Sequence, residues 1–181
     1  MSVFSSPNIT PILTASEIQE RTKELGQKIT EDYAQKADEL VLICILKGSF
    51  IFTADLCRHI DMPVSVEFIG VSSYGNDTKS SGIVRLTQDL STSIKGKHIL
   101  VVEDIVDTGL TMKYLLENLS TRDPASIGLV SLLEKPSKNT SGISVDYLGF
   151  SIPDKFVIGF GLDFAGKFRN LPFVGVLERE E

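Results

Sequence analysis

The chain has 181 residues, of which 42% are hydrophobic and 23% charged, a composition typical of one globular domain. A formal net charge of −6 at pH 7 argues against a nucleic-acid partner, because proteins that bind nucleic acid carry a basic face. The chain has no apolar run of the ~18 residues that a membrane span needs, and its N-terminus lacks the signal-peptide pattern. Cys44 and Cys57 lie in apolar segments, as free thiols do. We therefore expect no membrane partner and a cytoplasmic location.

The N-terminal part is predicted to be an irregular arm followed by an amphipathic helix. The arm covers residues 1–13 and contains prolines. Ser16 and Gln19 have the spacing of a capping box, and the helix is predicted to run from there to about Gln35. We expect this helix to serve packing only.

The first strand of a central sheet is predicted at residues 40–46, whose continuous apolar run is typical of a strand buried on both faces. It ends at Lys47 and Gly48, and a helix is predicted to follow through about Ile60. A lysine beside a glycine at this edge could hold an anion. The alternative is a solvated lysine beside a turn glycine, and the residues alone do not separate the two.

The next segment combines two strands with a polar loop. Strands are predicted at residues 63–71 and 83–88, and residues 72–82 are polar and rich in turn formers. Tyr74 is the only residue of the loop that could anchor a core. The loop is either a disordered hairpin tip or a lid that excludes water from a reaction.

The central motif runs from an apolar strand into a helix. Its residues are Glu103, Asp104, Ile105, Val106, Asp107, Thr108, Gly109, Leu110 and Thr111. Three acids stand where the strand ends, and the Thr-Gly-Leu-Thr turn stands where helical spacing begins at Met112. Free N–H groups at a helix start, with hydroxyls and a glycine, predict a phosphate site, and the acids predict contacts with hydroxyls or a hydrated cation. The alternative is that the acids are ordinary loop residues.

Further candidates follow the later strands. Strands are predicted at residues 125–133, 143–150 and 173–177. Lys135 follows the first of these, where a lone lysine is more often a surface residue. The apolar stretch 152–163 contains Phe156 and Val157 and ends at Asp163, a carboxylate that must be paired or solvated. Arg169 carries the donor fork that suits phosphate oxygens.

Acids that precede the phosphate turn distinguish this motif from a Walker loop. The order resembles the phosphoribosyl pyrophosphate loop of the type I phosphoribosyltransferases, and this version is close to that of the hypoxanthine-guanine branch. The resemblance covers about residues 40–177, and the Glu-Lys-Pro form at 134–136 looks bacterial. Phe160, Phe164, Ala165 and Gly166 depart from the tyrosine-rich forms of the family in this region.

The alternation of strands and helices predicts an α/β fold, a three-layer sandwich with a mostly parallel central sheet. The family resemblance implies a single phosphoribosyltransferase domain over residues 1–181. A small hood from the N-terminal arm and about residues 135–181 would cover the base. Ligands in such sheets bind at the carboxyl ends of the strands.

The resemblance also implies an activity. The chain would transfer ribose 5-phosphate from phosphoribosyl pyrophosphate to a 6-oxopurine base, hypoxanthine and guanine being the expected ones, and release a purine nucleotide (IMP or GMP) and pyrophosphate. This is purine salvage, and it would use Mg²⁺. The resemblance leaves the assembly open between a homodimer and a homotetramer.

Roles at the phosphate end follow from the same resemblance. Lys47 and Gly48 would bind pyrophosphate, with a cis peptide bond between Leu46 and Lys47, and Arg169 would bind it too. Ser73 and Tyr74 would close over the site. The remaining residues at this end are the ribose and Mg²⁺ ligands Glu103 and Asp104, and the 5-phosphate turn 107–111.

Roles at the base end are implied in the same way. Lys135 would donate to the purine O6, Phe156 would stack on the ring, and the Val157 backbone would contact the ring edge. Asp163 would act towards a second magnesium ion. Asp107 would be the acid/base that accepts a purine proton.

Three alternatives stay open at this point. A non-catalytic phosphoribosyltransferase-like regulator would bind nucleotide or RNA, but it would not need Lys47, Asp107, Lys135 and Arg169 together. A phospho-acceptor receiver domain also places acids at strand ends, but it gives the 108–111 turn no role. Within the enzyme class, xanthine is a further candidate base.

Overall fold

The computed structural model describes residues 9–73 and 84–177. The order of its helices and strands is β1 Ile9–Leu13, α1 Ala15–Tyr33, β2 Leu40–Leu46, α2 Phe50–Cys57, β3 Val64–Ser73, β4 Val84–Gln88, β5 His98–Val106, α3 Leu110–Ser120, β6 Ser126–Glu134, β7 Tyr147–Ser151, β8 Val157–Ile158 and β9 Val174–Leu177. None of the helices in this part of the chain is both long and apolar enough to cross a membrane. Cys44 and Cys57 are free thiols.

The central sheet has six strands in the order β4-β3-β2-β5-β6-β7. Every neighbouring pair is parallel except β3 and β4. Because β5 lies between β2 and β6, its carboxyl end is at the middle of the sheet edge where ligands bind in open α/β sheets. The α/β class and the mostly parallel sheet are as predicted.

Helices cover both faces of the sheet and make it the middle of three layers. Leu100 and Val102 of β5 pack in one core cluster with residues of α1 and α2. Ile99 and Val101 point the other way, into a cluster with Met112 and other residues of α3. This alternation explains why the β5 run is apolar at successive positions, since both of its faces are buried.

A second sheet is formed by the two ends of the described chain. It has three antiparallel strands in the order β1-β9-β8. The prediction of an irregular arm over residues 1–13 is therefore wrong for Ile9–Leu13, which form β1. The pairing partner of β1 is more than 160 residues away, so no local pattern reveals the strand.

The start of α1 also differs from the prediction. The N-cap is Thr14, whose side chain accepts a hydrogen bond from the Glu17 backbone N–H, while the Glu17 carboxylate accepts one from the Thr14 N–H. Thr14 and Glu17 have the same spacing as Ser16 and Gln19, and a charged carboxylate is the stronger acceptor. The capping box therefore lies two residues earlier than predicted.

Candidate active site

The acids of the central motif lie at the carboxyl end of β5 and have lost much of their hydration. Burial is the main cause that raises the pKa of Glu103 well above its usual range, and the neighbouring Asp104 raises it further. Burial also raises the pKa of Asp104 to about 6. Oε2 of Glu103 is buried without a hydrogen-bond partner among the described residues. Such a carboxylate is costly unless a ligand or cation meets it, which marks a candidate binding site.

The turn after β5 has the backbone of an anion site. Gly109 adopts a left-handed conformation with φ 77°, and α3 begins at the next residue. The N-cap Gly109 offers no side chain to this helix, and the Thr108 hydroxyl accepts from the Leu110 N–H at 3.4 Å. The other N–H groups of the first turn remain available. A Cβ at Gly109 would overlap Ser141 Oγ, and the Thr140 N–H donates to the Thr108 carbonyl at 3.2 Å. The loop around residues 139–141 therefore supports the turn from behind.

The loop after β2 approaches the same edge. The Leu46–Lys47 peptide bond is cis, as the resemblance implied. A Cβ at Gly48 would overlap the carboxylate of Asp104, so a glycine is needed for this loop to lie against β5. Lys47 is exposed and lines a cavity together with Arg169. Two cations thus meet in one cavity beside the acids.

Lys135 is a buried cation held between two carboxylates. Its side chain is 8% exposed, and Nζ lies 3.5 Å from Asp107 Oδ2 and 3.5 Å from Asp154 Oδ1. The other oxygen of Asp107, Oδ1, is buried without a hydrogen-bond partner in the described residues. A buried lysine that shares its charge between two acids can donate to a neutral acceptor in the adjoining cavity.

That cavity has an apolar and an acidic side. Its lining includes Asp107, Lys135, Phe156, Val157 and Asp163. Phe156 is 45% exposed, and its ring meets the edge of Phe164 at 5.8 Å between centroids. A flat aromatic ligand could stack on Phe156 while its polar edge faces Lys135.

Asp163 is paired and not merely solvated. Its Oδ1 lies 2.6 Å from Arg169 Nη2, and its Oδ2 accepts from the Gly166 N–H at 2.7 Å. Arg169 Nη1 also donates to the Gly161 carbonyl. The pair therefore fixes the arginine beside the cavity that Lys47 lines.

The structure brings most of the predicted site residues to one edge of the sheet. Three cavities lie there. The cavity around the turn 107–111 and the one around Lys135 and Phe156 share Ile105 and Asp107 in their linings, and a third is lined by Lys47 and Arg169. Tyr74 lies outside the described residues. Ser73 ends β3, and its side chain is not among those described. Their part in closing the site stays a prediction.

Sequence reasoning missed Asp154 as a partner of Lys135, Gly161 as a contact of Gly48, and the support from Ser141. No local motif marks them, because each acts through a residue at least 19 positions away. A larger cavity among the described residues, about 690 Å³, lies elsewhere, between α1 and the end of α2. Its charged groups include both signs, with Asp55 paired to Arg58, and they suggest no ligand.

Glu103 and Asp104 suit a hard cation that takes its remaining ligands from substrate phosphates and water. Nowhere in residues 9–73 and 84–177 do three His, Cys, Asp or Glu side chains converge as a complete metal site. Mg²⁺ commonly binds through one or two carboxylates plus substrate phosphates and waters. Glu103 with its unpartnered oxygen, and Asp104 beside it, are such carboxylates.

Comparison with known proteins agrees with this geometry. Residues 10–165 match the model of the phosphoribosyl transferase domain. The chain belongs to the phosphoribosyltransferase family. Among the relatives of this phosphoribosyltransferase, a hypoxanthine-guanine phosphoribosyltransferase of Dictyostelium discoideum is 51% identical over 172 residues, which cover 93% of this chain and 95% of that protein.

Two further relatives extend the agreement to bacteria and to three dimensions. A hypoxanthine-guanine phosphoribosyltransferase of Bacillus subtilis is 47% identical over 167 residues and 92% of each chain. The crystal structure of a hypoxanthine phosphoribosyltransferase from Staphylococcus aureus superimposes with a TM-score of 0.92 at 42% identity, covering 98% of this chain and 95% of that one. The phosphoribosyltransferase fold predicted from the sequence is confirmed.

Proposed function

We propose that this phosphoribosyltransferase makes purine nucleotides in purine salvage. It transfers the ribose 5-phosphate of phosphoribosyl pyrophosphate to hypoxanthine or guanine and releases pyrophosphate. The observation that carries the proposal is the position of Lys135, a buried cation between Asp107 and Asp154, in the cavity that Phe156 also lines. A cation and an aromatic ring in one cavity suit a flat base with a carbonyl oxygen. Relatives named for this activity, at 44–51% identity, support it and lend nothing to a non-catalytic regulator.

The sugar phosphate is assigned to the centre of the sheet edge. The 5-phosphate would accept hydrogen bonds from the N–H groups at the start of α3 and from the hydroxyls of Thr108 and Thr111. Glu103 and Asp104 would accept from the ribose hydroxyls. Each hydroxyl would then satisfy a carboxylate oxygen that is otherwise poorly solvated, so substrate binding offsets part of the cost of burying these acids.

The pyrophosphate is assigned to the cavity lined by Lys47 and Arg169. As the bond between C1 of the ribose and the pyrophosphate oxygen breaks, the electron pair leaves with the pyrophosphate, and both cations stabilise its growing charge. Mg²⁺ bound by Glu103 and Asp104, with a second ion towards Asp163, would supply further positive charge there. The Asp163 carboxylate also holds Arg169 in place.

The base is assigned to the cavity of Phe156 and Lys135. Lys135 would donate to the O6 oxygen of the purine, Phe156 would stack on its face, and the Val157 backbone would meet its edge. Asp107 stands beside Lys135 with an unpartnered buried oxygen, so it is placed to accept the purine proton when N9 bonds to the ribose. The amino group of adenine cannot accept a hydrogen bond from Lys135, and we therefore expect adenine to be rejected.

The test is nucleotide formation by the purified protein with phosphoribosyl pyrophosphate and Mg²⁺. Hypoxanthine, guanine, xanthine and adenine are compared at equal concentrations, and released pyrophosphate is measured alongside. We expect turnover with hypoxanthine or guanine and at least about 10³-fold less with adenine, because a site built to donate to an oxygen leaves its lysine unpaired against an amine. Nucleotide formed equally from adenine would contradict the assignment of Lys135. A protein that binds nucleotide and releases no pyrophosphate with any base would favour the regulator.

A further inference from the structure

Asp154 is the second carboxylate of Lys135, and it lies on a different segment from Asp107. It stands between β7 and β8, two residues before Phe156. The segment is anchored to the sheet, because the Ile152 N–H donates to the Glu134 carbonyl at 2.8 Å and Ile152 is buried. Asp154 therefore reaches Lys135 from a backbone that the fold holds in place.

Lys135 forms ion pairs of equal length with two acids, Asp107 and Asp154, to which we assign different roles. Nζ lies at the same distance, 3.5 Å, from Asp107 Oδ2 and Asp154 Oδ1. If Asp107 accepts the purine proton, it becomes neutral and no longer compensates the buried lysine. Asp154 would then be the remaining negative partner in the described structure. A buried cation without a negative partner is strongly unfavourable, and at that stage the Asp154 carboxylate would compensate the charge of Lys135.

Asp154 is itself kept ionised. Lys138 lies 3.1 Å from the same Oδ1 atom, and its hydrogen bond is the main cause that holds the pKa of Asp154 below its usual range. Lys138 is also joined to Lys135 through the backbone, since its N–H donates to the Lys135 carbonyl at 2.9 Å. Lys138 reinforces the charge of Asp154 but is not required for it, because the ordinary pKa of an aspartate carboxyl group lies far below 7.

We propose that Asp154 is a positioning residue for the base, which holds the Lys135 ammonium towards the purine carbonyl oxygen and compensates its charge when Asp107 is neutral. The inference rests on the proposed function and deepens it, because it names a residue that determines base affinity without contacting the base. Without the Asp154 carboxylate, the Lys135 ammonium would move towards Asp107, the only other carboxylate that pairs with it among the described residues. The lysine would then be withdrawn from the base, and the proton acceptor would be occupied.

The test compares Asp154→Asn with Lys138→Gln in steady-state assays with hypoxanthine and phosphoribosyl pyrophosphate. Asparagine keeps the size and an acceptor oxygen but removes the charge. We expect Asp154→Asn to lower kcat/KM for hypoxanthine about tenfold, with KM for phosphoribosyl pyrophosphate changed by less than about twofold. Asp154→Glu, which keeps the charge, should recover at least half of the wild-type value. Lys138→Gln should stay within about twofold for both substrates.

A double-mutant cycle with Lys135→Ala decides whether Asp154 acts through the lysine. In the Lys135→Ala background, Asp154→Asn should cause no further loss. A full additional tenfold loss, an equal rise in both KM values, or the same defect in Lys138→Gln would overturn the positioning role while leaving the proposed activity in place. A wild-type protein that forms nucleotide from none of the purines would instead overturn the proposed function, and the positioning role with it.

Discussion

The two carboxylate oxygens of Asp107 have different surroundings. Oδ2 faces Lys135, and Oδ1 is buried without a partner among the described residues. A structural ion pair would satisfy both oxygens, whereas a proton acceptor needs one that is free to meet the substrate. The arrangement therefore favours a chemical role for Asp107 over a purely structural one.

Replacing Asp107 with asparagine should lower kcat with hypoxanthine by about 10²-fold or more, because the amide cannot accept the purine proton. KM for phosphoribosyl pyrophosphate should change little, since the contacts proposed for the 5-phosphate come from backbone N–H groups and hydroxyls. Steady-state kinetics of the variant measure both quantities. Asp55→Asn serves as the control, because Asp55 pairs with Arg58 and lines none of the three cavities of the candidate site. An Asp107→Asn enzyme that turns over at full speed would exclude the acid/base role.

The role of a single residue could be predicted only where its sequence neighbours form a recognisable motif. Glu103, Asp104 and the turn 107–111 form one continuous motif, so the sequence was enough to propose a phosphate site there. Asp154 carries no such signal, because an exposed-looking acid in a Pro-Asp-Lys segment is usually a solvated turn residue. Its ion pair with Lys135 forms only when the fold brings β6 and the segment after β7 together.

At the scale of the elements, two glycine-containing loops from opposite parts of the chain meet over the site. Gly161 has φ +101°, and a Cβ there would overlap the backbone carbonyl oxygen of Gly48. Arg169 donates to the Gly161 carbonyl, so the same residue links the loop after β2 to the arginine. The contact joins the two proposed sources of pyrophosphate-binding charge, Lys47 and Arg169.

Alanine at Gly161 should therefore displace the loop that carries Lys47. We expect Gly161→Ala to raise KM for phosphoribosyl pyrophosphate at least about tenfold, with a smaller effect on the base. Gly166→Ala is the matched control, because Gly166 also has a positive φ, +79°, but a Cβ there meets open space. The control should cost only the ~1 kcal/mol of a left-handed alanine in thermal or denaturant unfolding. Equal kinetics for the two variants would show that the Gly48 contact is unimportant.

The elements themselves were predictable to different degrees. Strands β2, β5 and β6 were found because both of their faces are buried and their sequences are continuously apolar. The start of α1 was misplaced by two residues, since Thr14 with Glu17 and Ser16 with Gln19 satisfy the same spacing rule. Strand β1 was missed because its hydrogen bonds go to β9, and pairing over such a separation leaves no periodicity to detect.

At the scale of the whole molecule, the site lowers the stability of the fold that carries it. Burial raises the pKa values of both Glu103 and Asp104, so the folded chain binds these protons more tightly than the unfolded chain does. The free energy of unfolding must then fall as pH rises through the interval between the unfolded and folded pKa values. For Asp104 this interval runs from 3.8 to about 6. Above it both states are ionised, and the full cost of the buried charge remains.

Asp104→Asn should therefore make the protein more stable and less active. The asparagine oxygen can still accept the hydrogen bond that the Ile105 N–H donates to Asp104 at 2.8 Å, while the charge is gone. Denaturant unfolding without Mg²⁺ should give a gain of about 2 kcal/mol at pH 8 over wild type, and almost none near pH 4, where the wild-type carboxyl is already protonated in the folded state. Saturating phosphoribosyl pyrophosphate and Mg²⁺ should reduce or reverse the gain, because they bind the charged site of the wild type more tightly. A variant no more stable than wild type at pH 8 would show that Asp104 carries no uncompensated charge in the folded protein.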